Sequence, residues 1–403
     1  MEYGVNKLRI VWICHFMNDN LRQRLGIKKH IKEFAPWITI GIEEVKKLDD
    51  IELHVIFPNP LIRRNIGFVD SNIHYHCIKT GMPFLKRNWP RKLRFDALTH
   101  YCFFNHQVKR KVNLIKPDLV NLHGAENAYY SSSIFGLMNF PTLITIQGFI
   151  NLNNAEAIGG IEIRRRLEVE RKILREAKNF AIEATFMGDY IKSFNPDSIM
   201  FWIHCPFAKT NVIANNYKEY DLVFFAKLCQ MKGIEDLIKV LFELKKWKSD
   251  ISLIIMGSGK PAYIDFLKKM IMDLNLNDNI TFRGFVPTQT EMHQEAAKAR
   301  ISVLPTYNDT IPGTIAESML MGIPVISYNT GGIPDLNKKG DNIIIVEQGN
   351  LEQLAHEIKS LLNDKTRQEE LSRRSREFAL SEFDNSNSIN NLIEAYRNIL
   401  NDF

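Results

Sequence analysis

The 403-residue sequence has no apolar run of the roughly 18 residues that a membrane-spanning helix needs. Its first strand-like stretch, Leu8 to Cys14, is too short for the apolar core of a signal peptide. Cysteine is scarce: five residues, at positions 14, 77, 102, 205 and 229, with no CxxC pair. An odd number so spaced indicates neither a disulfide framework nor a zinc site. With 21 Gly and 15 Pro, 45% hydrophobic and 24% charged residues, collagen-like, coiled-coil and wholly disordered chains are excluded. Neither a P-loop nor an Asp-x-Asp occurs, and no His/Cys/Asp cluster has metal-ligand spacing. What is left is a soluble, intracellular, globular chain, long enough for two domains.

Charge is present but uneven. The net charge of +6 conceals +10 over residues 1–220 and −4 over the remainder. Residues 61–116 alone hold 12 basic and 2 acidic side chains. One face of the first half is therefore expected to meet something anionic.

Short Val/Ile-rich runs alternate with amphipathic stretches, the pattern of α/β domains built on parallel sheets. Strands are expected at Leu8–Cys14, Ile51–Phe57, Leu119–Leu122 and Thr142–Ile146. A second series starts at Asp221 and continues at Ile251–Met256, Ile280–Phe282, Ile301–Leu304, Pro324–Ile326 and Ile343–Val346. Pro36 suits the first position of a helix. The polar segment 208–220 separates a domain at 1–207 from one at 221–380. Residues 381–403 form a final helix with Leu392, Ala395, Tyr396 and Leu400 on one face.

Ligands of open parallel sheets bind beyond the carboxyl ends of the strands. In the second half, Lys227 and Lys232 flank a strand-to-helix turn and can both reach a diphosphate lying over it; solvated loop lysines are the plain alternative. Gly257 follows the second strand, where a missing side chain lets backbone approach a ligand. The strongest constellation runs from Asp309 through Pro312, Gly313 and Thr314 to Glu317, Gly322 and Pro324. A helix starting near Thr314 presents free N–H groups and a positive dipole end to an anion. Asp309 lies just before that start and Glu317 about one turn inside. A loop aspartate and a surface glutamate are the plain alternative. In the first half, His123 ends the third strand and is followed by Gly124, a plausible active-site position.

These residues resemble those of the retaining glycosyltransferases of family 4, the "group 1" transferases. The resemblance rests on Ala226-Lys227, Lys232-Gly233, Asp309-x7-Glu317, Met319 with Gly322-Ile323-Pro324-Val325, and Gly331-Gly332-Ile333-Pro334. It implies a GT-B fold: two Rossmann-like α/β domains facing across a cleft, with the C-terminal helix crossing back to the first domain. It further implies that Lys227 and Lys232 hold the diphosphate of a UDP- or GDP-linked sugar, with Gly313 and Thr314 donating backbone N–H groups. Asp309 would touch the sugar hydroxyls, Glu317 the ribose, and Val286 the base. His123 would lie near the transferred sugar. Neither a metal nor a separate cofactor is implied. Lys227 stands where the family has Arg and Asp309 where it has Glu, replacing a bidentate fork by a point charge and shortening one carboxylate. Gln147 replaces a second His, and the loop Cys14–Asn20 lacks the family's paired glycines.

The activity implied is transfer, with retention, to a lipid-linked or oligosaccharide acceptor in the assembly of cell-surface polysaccharide, capsule or lipopolysaccharide. The implied location is cytoplasmic, peripheral on the inner face of the plasma membrane. Residues 83–95, where Phe84, Trp89 and Phe95 alternate with Lys86, Arg87, Arg91, Lys92 and Arg94, suit a membrane headgroup region or a packed helix with solvated charges. Nucleic acid has no recognition motif here. A nucleotide-sugar 2-epimerase and a non-catalytic nucleotide-sugar or nucleic-acid binding protein are the rival readings.

Overall fold

The computed structural model describes residues 7–28, 33–80, 95–150, 160–207, 210–214 and 217–403. The chain forms two compact units: Met1–Pro206 together with Asn385–Phe403, and Phe207–Asp384.

In the first unit, eight strands form one sheet. They are β1 (Leu8–Ile13), β2 (Ile51–Asn59), β3 (Ile66–Asp70), β4 (Ile73–Lys79), β5 (Leu119–His123), β6 (Thr142–Thr145), β7 (Asn179–Ile182) and β8 (Ile199–Trp202). Their order is β3-β4-β2-β1-β5-β6-β7-β8, and only β3 runs antiparallel to its neighbour. Helices cover both faces, so the successive residues Ile10 to Ile13 of β1 are all apolar: Ile10 and Trp12 enter one core, Val11 and Ile13 the other. Strand order reverses between β1 and β5, which sets the end of β5, and with it His123, at the switch point of the sheet.

The helix Asn385–Asn401 belongs to this unit and packs on the helix Pro36–Val45. Its fully buried Tyr396 hydroxyl accepts from Trp12 Nε1 at 2.8 Å and from Asn121 Nδ2 at 2.7 Å. Asn121 in turn accepts from Thr145 Oγ1 at 3.0 Å, so the last helix is fixed to β1, β5 and β6 by one buried network.

The basic stretch 83–95 lies outside the described residues except for Phe95. Beyond it, the helices Phe95–Leu98 and Cys102–Ile115 bury Ala97, Tyr101, Phe104, Val108 and Val112 in the core, while Lys109 and Arg110 stay exposed. The apolar spacing of this segment is thus core packing.

The second unit carries β9 (Tyr220–Phe225), β10 (Leu253–Met256), β11 (Ile280–Gly284), β12 (Ala299–Leu304), β13 (Val325–Tyr328) and β14 (Ile344–Val346). All are parallel, in the order β11-β10-β9-β12-β13-β14. This is the 3-2-1-4-5-6 order of dinucleotide-binding sheets, with its switch point between β9 and β12. Leu222 and Phe224 of β9 enter one core, and Val223 and Phe225 the other. The helix Ile234–Lys245 explains its own position: Ile234, Leu237, Ile238, Leu241 and Leu244 recur at helical spacing and are all buried. Among the described residues of both units, no helix is long and apolar enough to cross a membrane.

Candidate functional site

Two loops meet at the switch point of the second unit. After β9, the chain passes Ala226 and Lys227 to a short 3-10 turn, Gln230–Lys232, which ends at Gly233. After β12 it passes Pro305 and Thr306 to Asp309. Met231 O accepts from Tyr307 N at 2.9 Å and lies 3.1 Å from Thr306 Oγ1, which ties one loop to the other. The second loop is also held from its far side. Tyr307 O accepts from Thr330 Oγ1 and Gln348 Nε2, and Gly332 N donates to Thr310 O at 2.8 Å. Gly331 has φ +54°, and a Cβ there would lie 1.6 Å from Asp309 O, so only glycine lets this backbone pack so closely.

The buried Asp236 supports the same loop from the helix Ile234–Lys245. Its Oδ2 accepts from Tyr307 Oη at 2.5 Å and Tyr328 Oη at 2.9 Å. That carboxylate pushes the Tyr307 hydroxyl up to about 12.

Lys232 and Asp309 are thereby brought together. Lys232 Nζ stands 2.6 Å from Asp309 Oδ1 and 2.5 Å from Oδ2, and Thr306 Oγ1 donates to Oδ2 at 2.7 Å. The two side chains are only 21% and 18% exposed. Lys227, by contrast, is exposed and faces solvent from the end of β9.

The helix Gly313–Met321 begins beside this pair. Pro312 is its N-cap and supplies no side-chain cap; Pro312 O accepts from Ile315 N and Ala316 N, while Gly313 N and Thr314 N precede the first intrahelical bond. These two N–H groups and the helix dipole leave a positive end with unused donors on an element of nine residues. A Cβ added at Gly313 would meet the ring of Phe207 at an ordinary contact distance of 3.7 Å.

Glu317, one turn on, accepts from Gln289 Nε2 at 2.9 Å and has His293 Nε2 3.2 Å from its Oε2, close but poorly aligned for a hydrogen bond. Gly257 follows β10 and donates to Gly284 O; a Cβ would lie 1.8 Å from Ala226 O, so its lack of a side chain serves packing at the loop after β9. Val286, beyond β11, is partly buried against the core of Val223 and Ile254. The switch point thus places Lys232 on the loop after β9, Asp309 on the loop after β12, and Gly313, Thr314 and Glu317 on the helix that follows. Thr306, Asp236, Gln289 and His293, which brace them, carry no sequence signal of their own, because each acts through a neighbour brought in by the fold.

His123 belongs to the first unit. It is 6% exposed, with its ring 4.5 Å from that of Trp12. Its Nε2 is buried without a hydrogen-bond partner, and it lines a small pocket with Trp37, Thr145, Cys205 and Ser388. Burial pushes it down to about 3, so the ring is neutral and able to share one hydrogen bond but not to carry charge.

Residues 208–378 match the family model described as Glycosyl transferases group 1. A 2-deoxystreptamine N-acetyl-D-glucosaminyltransferase of Niallia circulans is 24% identical over 225 residues, 54% of this chain and 54% of that protein. The chain spans about half the length of the curated relatives it matches. Among solved structures, sucrose-phosphate synthase from Thermosynechococcus elongatus superposes with a TM-score of 0.73 at 17% identity, covering 98% of this chain and all of that one. HepE of Anabaena in complex with UDP gives 0.67 at 16% identity, over 96% of this chain and 99% of that one. The match to the glycosyl transferases group 1 model is confined to residues 208–378, and the two units together have a two-domain, GT-B-like α/β fold.

Proposed function

We propose that the protein is a glycosyltransferase that takes a sugar from a UDP- or GDP-linked donor and passes it, with retention and without a metal ion, to a lipid-linked or oligosaccharide acceptor. The observation that carries this reading is the site at the β9/β12 switch point: a lysine, a carboxylate and the uncapped start of the helix Gly313–Met321, held on braced loops. The family match over residues 208–378 and the UDP seen in HepE of Anabaena support a nucleoside diphosphate as the anion.

In this reading the donor's diphosphate lies over the start of the helix. Gly313 N and Thr314 N donate to it, Lys232 turns from Asp309 toward it, and exposed Lys227 approaches from the other side. As the bond to the anomeric carbon breaks, negative charge grows on the departing phosphate, where fixed donors stabilise it most. The acceptor hydroxyl attacks from the same face and gives its proton to that phosphate. Asp309, released by Lys232, meets the sugar hydroxyls; Glu317 meets the ribose diol and Val286 the base. Neutral His123 offers its free Nε2 to the transferred sugar as a hydrogen-bond partner. Membership of family 4, assembly of cell-surface polysaccharide, and peripheral attachment at the inner face of the plasma membrane through residues 61–116 complete the proposal.

A thermal-shift panel of UDP- and GDP-sugars tests donor binding, because a ligand that binds only the folded protein raises its melting temperature. One sugar nucleotide of the panel is expected to raise it; a panel with no shift at millimolar concentration refutes the reading. A 2-epimerase would bind the same donors yet release no nucleoside diphosphate in the presence of acceptor.

A further inference from the structure

A second constellation lies in the first unit, on the sheet face opposite the core of Leu53 and Val55. Parallel pairing of β2 with β4 sets His54 beside His74 and Ile56 beside His76. Alternation along each strand then brings Glu52, His54, His74 and His76 to one face. His54 stacks on His74 with ring centroids 4.5 Å apart. One ligand atom each from Glu52, His54 and His74 lie within 4.8 Å of one another. Glu52 Oε1 is 2.8 Å from His54 Nε2, and His54 Nδ1 is 3.0 Å from His76 Nε2.

From this geometry we infer a zinc-class divalent metal site in the first unit, with Glu52, His54 and His74 as its ligands and His76 as a positioning residue. Two imidazoles and one carboxylate are a donor set that zinc accepts, with the fourth position left for water. The His54–His76 contact gives the arrangement its direction. In the ion-free protein Glu52 can only accept, so His54 Nε2–H donates to it and His54 Nδ1 accepts from His76 Nε2–H; an ion on His54 Nε2 displaces the Nε2 proton, and His54 Nδ1–H then donates to His76 Nε2. A bound ion requires the ligand atoms to close from their present spacing, and His74, half-buried, is the ring of the set that must turn from its stack on His54.

Two cations bear on the site. Arg9 Nε holds Glu52 Oε1 at 2.9 Å, and Lys111, on the helix Cys102–Ile115, acts on His76. With Arg9 on the single carboxylate, ions that rely on carboxylate charge gain little here. Zinc is therefore expected to bind, and magnesium and calcium are not. The site ties β2 to β4 near the sheet edge; it shares no residue with the proposed donor site, so either can fail without the other.

The test is titration of the chelator-treated full chain with Zn2+, followed by calorimetry, with Co2+ absorption as a second readout. The expected result is one equivalent bound and the visible bands of a four-coordinate cobalt site. His74→Gln and Glu52→Gln, both at partly exposed positions, are each expected to weaken zinc at least tenfold. His76→Ala is expected to cost about 10–100-fold through loss of orientation and to alter the cobalt spectrum. His356→Ala, at an exposed helix position of the second unit, is expected to change nothing. Failure of the wild-type chain to take up stoichiometric zinc overturns the inference, as does equal affinity in the His74→Gln and Glu52→Gln variants.

Discussion

If the donor's diphosphate draws Lys232 away from Asp309, the two residues must respond to mutation in opposite directions. In the free protein Lys232 Nζ contacts both carboxylate oxygens of Asp309, with each side chain about one-fifth exposed. Hydrogen bonds to charged groups contribute about 1.5–3 kcal/mol net. Fully exposed ion pairs contribute about 0–1 kcal/mol. A pair so placed falls between these limits, at about 1–2 kcal/mol. Some of that stabilisation is lost when Lys232 turns to phosphate. Asp309→Asn keeps the side-chain shape and the oxygen that accepts from Thr306, but removes the charge that competes for Lys232 and repels a diphosphate. UDP or GDP should then bind about fivefold to thirtyfold more tightly, since about 1.4 kcal/mol is a factor of ten. Lys232→Met should weaken the same ligand about tenfold to a hundredfold, by loss of a charge-assisted contact. Sugar transfer should fall in both variants, because Asp309 also serves the sugar. Calorimetric titration with nucleoside diphosphate reads both values. Weaker binding in Asp309→Asn, or unchanged binding in Lys232→Met, refutes the shared-lysine argument.

Three further outcomes follow from single contacts. Tyr396→Phe leaves Trp12 Nε1 and Asn121 Nδ2 buried without their acceptor, at about 1–3 kcal/mol each, so the first unit should melt several degrees lower with an unchanged far-ultraviolet spectrum. An unaltered melting curve would contradict the network. Glu126 has its Oε2 buried without a partner, and burial, with the Glu170 charge adding, pushes it up to about 7. Because the folded state then holds its proton more tightly than the unfolded chain, stability is full below about pH 4.5 and declines as pH rises toward 7, by up to about 3 kcal/mol. Glu126→Gln should remove that decline in urea unfolding at pH 5 and pH 8; equal pH dependence in both proteins rejects it. Gly331→Ala, forced into Asp309 O, should displace the Asp309 loop and sharply reduce UDP or GDP binding, and an unaffected affinity would show that the loop tolerates the shift.

The fold class was legible because the central strands of both sheets are buried on both faces, which writes apolar runs into β1, β2, β5, β9, β10, β12 and β13. β3, β4, β7 and β8 match none of the expected strands: β3 and β4 alternate in burial, β8 is short and partly exposed, and β7, although buried, is only four residues with a leading Asn. The spacing from Asp309 to Glu317 and the pair Pro312–Gly313 mark a helix start from local sequence alone. What sequence could not reveal is pairing across the sheet: that Asp309 meets Lys232, 77 positions earlier, depends on β9 and β12 being neighbours. The same holds for His54 and His74, which become adjacent through the register of β2 with β4. Their separation along the chain resembles no metal-ligand spacing.

The central claim is that the β9/β12 switch point of the second unit works on a nucleotide sugar. Its most direct test is nucleoside diphosphate release from a panel of UDP- and GDP-sugars, with lipid-linked and oligosaccharide acceptors, by the wild-type chain and by Lys232→Ala. The account predicts release from at least one donor by the wild-type chain and a fall of about a hundredfold or more in the variant, as for loss of one fixed donor to a developing negative charge. Equal release by the two proteins would contradict it.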